Sequence, residues 1–163
     1  MTETEKQGTD LPPLAEGALP PRLIVCERSG QWAVALRREL ARGDVRVHET
    51  RGLAECWQML ARCPSSFVVA ELTDANVEAL LDRLASRRRL FPLVRVAVVS
   101  DRPQAAYEPL AREAGAVHFA ASLREAGPVA RLACRHLDQA ARPRRSLTES
   151  IWAELPWATS DET

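Results

Sequence analysis

The sequence predicts an α/β fold: a doubly wound, five-stranded parallel sheet in strand order 2-1-3-4-5, with helices on both faces. Three observations carry this prediction. Between residues 22 and 140, short apolar runs alternate five times with segments of helical periodicity. Strict β-α alternation implies parallel strands joined by crossover helices. The alternating part spans about 120 residues, which suits five strand–helix units, whereas a closed eight-strand barrel needs roughly twice that length.

The first run, RLIVC at 22–26, is apolar from Leu23 onward, as a strand buried on both faces should be. SGQWAVALRREL follows, with Ser29 as the expected N-cap; Trp32, Leu36 and Leu40 fall on one helix face, and Gly43-Asp44 closes the segment. VRVHE at 45–49 alternates Val45 and Val47 with Arg46 and His48, the pattern of a half-exposed edge strand. Leu53, Cys56, Trp57 and Leu60 mark a second helix that ends before Pro64. FVVAE at 67–71 is a third strand. Val77, Leu80, Leu81 and Leu84 give a third helix, with Arg87, Arg88 and Arg89 expected as its solvated end, where cations suit the helix dipole.

LVRVAVVS at 93–100 is the most β-branched strand. A fourth helix is expected over about 107–114, with Pro109 in its first turn and Gly115 at its end. AVHFAA at 116–121 is the fifth strand. Val129, Leu132, Ala133, His136 and Leu137 form the apolar face of a fifth helix opened by Pro128.

Composition narrows the function classes. The 163 residues are 46% hydrophobic but only 5% aromatic, so the core should be aliphatic. Lys+Arg and Asp+Glu both total 22, and the cancellation argues against a general nucleic-acid binder. The zero has internal structure. Residues 1–20 carry Lys6 against Glu3, Glu5, Asp10 and Glu16, a net of −3. Residues 21–140 carry 18 Arg and 14 acids, a net of +4, and residues 141–163 carry three Arg and four acids, a net of −1.

Cys26, Cys56, Cys63 and Cys134 form no C-x-x-C pair and read as free thiols of a reducing cytosol. The polar, acidic start of the chain is no signal peptide, and no apolar run has membrane-helix length. A soluble, cytoplasmic protein is expected. His48, His118 and His136 are too dispersed to suggest a metal site.

Residues 1–20 read as a disordered leader, 21–140 as the folded domain and 141–163 as a tail. The tail holds two of the chain's four tryptophans. Ile151, Trp152, Leu155 and Trp157 cluster there around a short helix stopped by Pro156, either docked on the domain or presented to a partner.

In open α/β sheets ligands bind beyond the carboxyl ends of the strands. Cys26, Glu27, Glu71, Ser100, Asp101 and Ser122 fall there. The stretches LIVCE, FVVAEL, VAVVSD and AGAVHFAAS, in this order and spacing, resemble the receiver domain of bacterial response regulators (the CheY-like or flavodoxin-like three-layer sandwich). Gly115 followed by Phe119 is the most telling part, and the resemblance places Phe119 among the interaction residues. The likeness implies phosphoryl transfer to an Asp ending the third strand. It also implies Mg²⁺ on an acidic pair ending the first strand, a hydroxyl ending the fourth and a Lys ending the fifth.

This chain departs at most of those positions. The acidic pair falls on Cys26 and Glu27, the acceptor on Glu71 and the Lys on Ser122; Ser100 keeps the hydroxyl. Mg²⁺ needs hard oxygen ligands, and phosphoryl transfer needs charge neutralisation. The reading is therefore a degenerate pseudo-receiver: not an enzyme, without metal or cofactor, acting through unidentified protein partners rather than nucleic acid or membrane. A divergent phosphoacceptor in a two-component phosphorelay is the alternative, and a small-molecule binder at the strand ends is a third reading. Glu71 as a permanent mimic of phospho-Asp falls short in charge and acceptor oxygens.

Overall fold

A computed structural model describes residues 18–140 other than Arg42 and Asp101, with Arg102 and Pro103 described by backbone alone. The expected tail, with Ile151, Trp152, Leu155 and Trp157, and the leader up to residue 17 lie outside the described residues.

Five strands form one parallel sheet in the order β2-β1-β3-β4-β5. They are β1 (Leu23–Cys26), β2 (Val47–Thr50), β3 (Phe67–Leu72), β4 (Arg95–Ser100) and β5 (His118–Ala120). The helices are α1 (Gln31–Glu39), α2 (Leu53–Arg62), α3 (Val77–Leu90), α4 (Glu108–Glu113) and α5 (Ala126–Gln139). The predicted doubly wound architecture is the one observed.

Strand alternation splits the core in two. Ile24, Cys26, Val68, Ala70, Val96 and Val98 face one way and pack with Cys56, Leu60, Leu80 and Leu84 from α2 and α3. Leu23, Val25, Val69, Ala97 and Val99 face the other way and pack with Trp32, Leu36, Val129 and Ala133 from α1 and α5. Strands covered on both faces are apolar along their covered length, which is why LIVC and FVVA run without a polar residue and Glu71 enters only at the half-buried end of β3. At the edge, β2 is largely half-buried, as its alternating sequence implied.

The local differences have physical causes. Ser29 does not cap α1; Gly30 holds that position at φ 82°, a left-handed conformation that suits glycine. The fourth helical segment starts early, as a 3₁₀ turn over Arg102–Tyr107 that passes into α4. α5 begins at Ala126, so Pro128 lies inside its first turn.

The arginine run also differs from expectation. It belongs to α3 itself, and Arg87 is 3% exposed rather than solvated. Its guanidinium donates to the carbonyls of Val94 and Gly115, tying the end of α3 to the starts of β4 and β5. Burial, with Arg95 and Arg88 nearby, lowers its pKa from the usual arginine value. Gly115 sits at φ 111°, and a Cβ there would lie 3.4 Å from Arg87 Nη2.

Candidate functional site

The carboxyl ends of β1 and β3 border a cavity of about 180 Å³, lined among others by Cys26, Glu27, Arg51, Glu71 and Asn76. Cys26, Glu27 and Glu71 are thus brought together as the sequence implied. Ser100 and Ser122 are not among its lining residues.

Glu27 follows β1 directly and is 2% exposed. Its carboxylate turns toward the first turn of α1. Oε2 accepts from the Trp32 N–H at 2.9 Å, and Oε1 accepts from the Ala33 N–H at 2.6 Å. Ser29 Oγ donates to Oε2 at 3.4 Å. A helix N-terminus has unsatisfied N–H groups and partial positive charge, so it attracts a carboxylate. Glutamate has the reach to cap α1 from outside the helix, and both of its oxygens are engaged there.

Glu71 Oε2 accepts from the Arg28 N–H at 2.9 Å. Asn76 braces the loop after β3: its Nδ2 donates to the Glu71 carbonyl and its Oδ1 accepts from the Thr73 N–H, both at 2.8 Å. Glu71 pairs with Val99 and Leu72 with Ser100, so strand alternation sends the Glu71 and Ser100 side chains to opposite faces.

Ser100 is 1% exposed, and its hydroxyl has no hydrogen-bond partner. Ser122 caps the 3₁₀ turn Leu123–Glu125 by accepting from the Arg124 N–H at 3.3 Å. Phe119, assigned to an interaction surface by the sequence, is 4% exposed and fills the core beside α4. Asp101 lies outside the described residues.

Sequence reasoning missed the two arginines that line the cavity, Arg28 and Arg51. Arg51 lies just past β2, and its guanidinium donates to the carbonyls of Arg28 at 3.2 Å and Glu27 at 3.5 Å and to Glu49 Oε2 at 2.9 Å. The signal was its position: β2 neighbours β1, so the residue after β2 lies beside the residue after β1. Asn76 was also missed, although an Asn three residues after Thr73 and just before a helix is a turn signal.

The histidines have structural settings. His48 Nε2 is 2.7 Å from Arg22 Nη1, and burial with the charges of Arg22 and Arg46 lowers its pKa. His136 packs against the Phe67 ring at 5.7 Å and bonds the Ser65 carbonyl at 2.9 Å; burial lowers its pKa.

The donor set does not fit Mg²⁺. Cys26 offers a soft thiol, the Glu27 oxygens are held by backbone N–H groups, and one Glu71 oxygen is held by Arg28. Among the described residues, no group of three or more His, Cys, Asp or Glu could hold a metal ion. None of the described helices is long and apolar enough to cross a membrane.

A larger groove, of about 580 Å³, lies between α1 and the start of α5, bordered by the loop after β1 and the turn after β5. Val34, 48% exposed, and Leu123, 39% exposed, give it apolar walls.

The topology and the strand-end cavity define the class of fold, the doubly wound α/β sandwich. Solved structures narrow this to the receiver fold. A response regulator from Thermotoga maritima matches with a TM-score of 0.61 at 20% identity, over 74% of this chain and 99% of that one. A CheY-like protein, tadZ, from Pseudomonas aeruginosa matches with a TM-score of 0.58 at 17% identity, over 71% and 98%. The signal receiver domain of a Luxo repressor protein from Vibrio parahaemolyticus matches with a TM-score of 0.59 at 16% identity, over 74% and 92%. No protein-family model and no curated protein sequence matches the chain.

Proposed function

We propose that this chain is a signalling module that keeps the receiver scaffold, takes up no phosphoryl group and acts through protein contacts. The observation that carries the reading is Glu27. The carboxylate that a metal would need is spent on the backbone of α1. The cation of a phosphate site is also missing from its expected place, where Ser122 caps a turn instead.

Arg51 does not substitute for it. Its guanidinium is bonded to two carbonyls and to Glu49, which leaves it poorly placed to follow a transferring group. Four free thiols suit a reducing compartment such as the cytosol. The segment carrying Ile151, Trp152, Leu155 and Trp157 is proposed as the partner-binding motif.

The test is exposure of the full chain to acetyl phosphate or beryllofluoride with Mg²⁺. The expected result is an unchanged intact mass after acetyl phosphate and an unchanged thermal midpoint with beryllofluoride. A phosphoryl adduct at Glu71, or Mg²⁺-dependent stabilisation by beryllofluoride, overturns the reading.

A further inference from the structure

The groove between α1 and the start of α5 has the lining of a docking site. Val34 and Ala35 line it from α1, and Leu123 and Ala126 line it from the turn after β5 and the start of α5. Val34 and Leu123 are exposed, so two converging elements leave aliphatic side chains to water at the same place. Arg38 and Arg124 line the groove against a single acid, Glu39, a net of +1. Its volume of about 580 Å³ falls in the range of sites that enclose bulky apolar groups.

Two segments of the chain lie outside the described residues, and they join the fold on different sides. Just after the leader, the Leu19 N–H donates to the Arg62 carbonyl at the end of α2. α2 covers one face of the sheet, whereas α1 and α5 cover the other. The tail follows α5 itself, a wall of the groove. α5 ends at the amino edge of the sheet, where His136 bonds the Ser65 carbonyl just ahead of β3. Its 14 residues place the groove about 21 Å back along the helix. The ten residues 141–150 span up to about 33 Å when extended, so Ile151 has the reach to arrive there.

Composition also favours the tail. Ile151, Trp152, Leu155 and Trp157 supply apolar bulk, whereas residues 1–17 contain no aromatic side chain. Residues 146–163 carry Glu149, Glu154, Asp161 and Glu162 with no Lys or Arg, a net of −4 against a cationic groove. We propose that this groove is the docking site, in cis, of residues 151–157. The tryptophan and aliphatic side chains cover Val34 and Leu123, and the flanking acids face Arg38 and Arg124. This docking rests on the binding role proposed above for the same side chains, and any partner then competes with the groove for them.

Acrylamide quenching of tryptophan emission in the full chain tests the docking. Trp32 and Trp57 are buried in the two core clusters, so they stay shielded and the quenching reports Trp152 and Trp157. A short tether holds the segment at roughly millimolar effective concentration, so a contact with a Kd near ~0.1 mM keeps it about 90% docked. Leu123→Asp or Val34→Asp puts a charge on the apolar wall, and a contact weakened about tenfold raises the quenchable share of the tail emission about fivefold. Both positions are exposed, so the fold is expected to persist, with an unchanged circular dichroism spectrum. Hydroxyl-radical footprinting gives the reciprocal reading with the domain unaltered. Val34 and Leu123 should oxidise severalfold faster in a Trp152→Ser, Trp157→Ser chain than in the wild type.

Tail tryptophans that quench as freely in the wild type as in Leu123→Asp overturn the proposal. A footprint at Val34 and Leu123 that the double tryptophan variant leaves unchanged also overturns it, and assigns any cover there to the leader or to another protein. Shielding that fades on dilution assigns the segment to the groove of a second copy and overturns docking in cis. The binding role fails by a different result, equal recovery of partners by the full chain and by a chain lacking residues 146–163.

Discussion

Replacing Glu27 with Gln tests the central reading through the sign of a stability change. The side chain keeps its shape and loses its charge. In the native protein its two oxygens accept backbone N–H groups at 2.9 and 2.6 Å, and the residue is 2% exposed. A hydrogen bond to an ionised group contributes about 1.5–3 kcal/mol, and a charge at a helix N-terminus adds about 0.3–1 kcal/mol. Glutamine keeps one acceptor but turns an amide donor toward the other N–H. The expected loss is about 2–3 kcal/mol, or roughly 6–12 °C in thermal midpoint for a domain of this size.

If Glu27 were instead a pocket acid facing Glu71, neutralising it would relieve like-charge repulsion and raise stability. The assay is thermal unfolding followed by circular dichroism at neutral pH, with and without millimolar Mg²⁺. A midpoint that rises in Glu27→Gln, or wild-type protection by Mg²⁺ that the variant loses, refutes the reasoning.

Three further outcomes follow from the packing. Arg87→Met keeps the aliphatic stem but leaves the Val94 and Gly115 carbonyls without their donor, which should cost about 2–3 kcal/mol in urea unfolding. Ser100→Ala removes a buried hydroxyl that has no partner, so stability should stay level or rise by up to about 1 kcal/mol; a clear fall would contradict the burial described. His136 has a pKa held below its ordinary value of 6.5, so the unfolded chain binds its proton more readily. Its contribution is complete above about pH 6.5 and is lost as the pH falls toward the folded-state value. Unfolding curves between pH 7 and 5 should show this acid-side slope, and His136→Leu should reduce it while His48 retains its share.

Much of the fold was legible because it rests on burial. The apolar runs of β1, β3 and β4 had to be strands covered on both faces, the alternating β2 had to be an edge, and the leucine and tryptophan spacings of α1, α2 and α3 had to face the sheet. Element ends were less legible because they depend on hydrogen bonds. Ser29 has the composition of an N-cap, yet a glutamate two residues earlier satisfies the helix, and a positive-φ glycine provides the turn between them. The arginine run misled for a related reason. Charge predicts exposure, but Arg87 finds carbonyl partners that only the convergence of α3, β4 and β5 creates.

The strand-end site shows why residue types can be read from a sequence while their engagement cannot. Position alone assigns Glu27 and Glu71 to the same cavity. It does not say that Glu27 is held by Trp32 and Ala33, or that Arg51 reaches the cavity from the loop after β2. Those facts are linked. Glu27 is withdrawn into α1, while Arg51 binds the Glu27 and Arg28 carbonyls and Arg28 donates its N–H to Glu71. Glu27 and Glu71 are each answered by backbone N–H groups, while Arg51 divides its guanidinium between two carbonyls and Glu49. A pocket wired in this way has no unmet demand for Mg²⁺, and its one soft group is the buried thiol of Cys26.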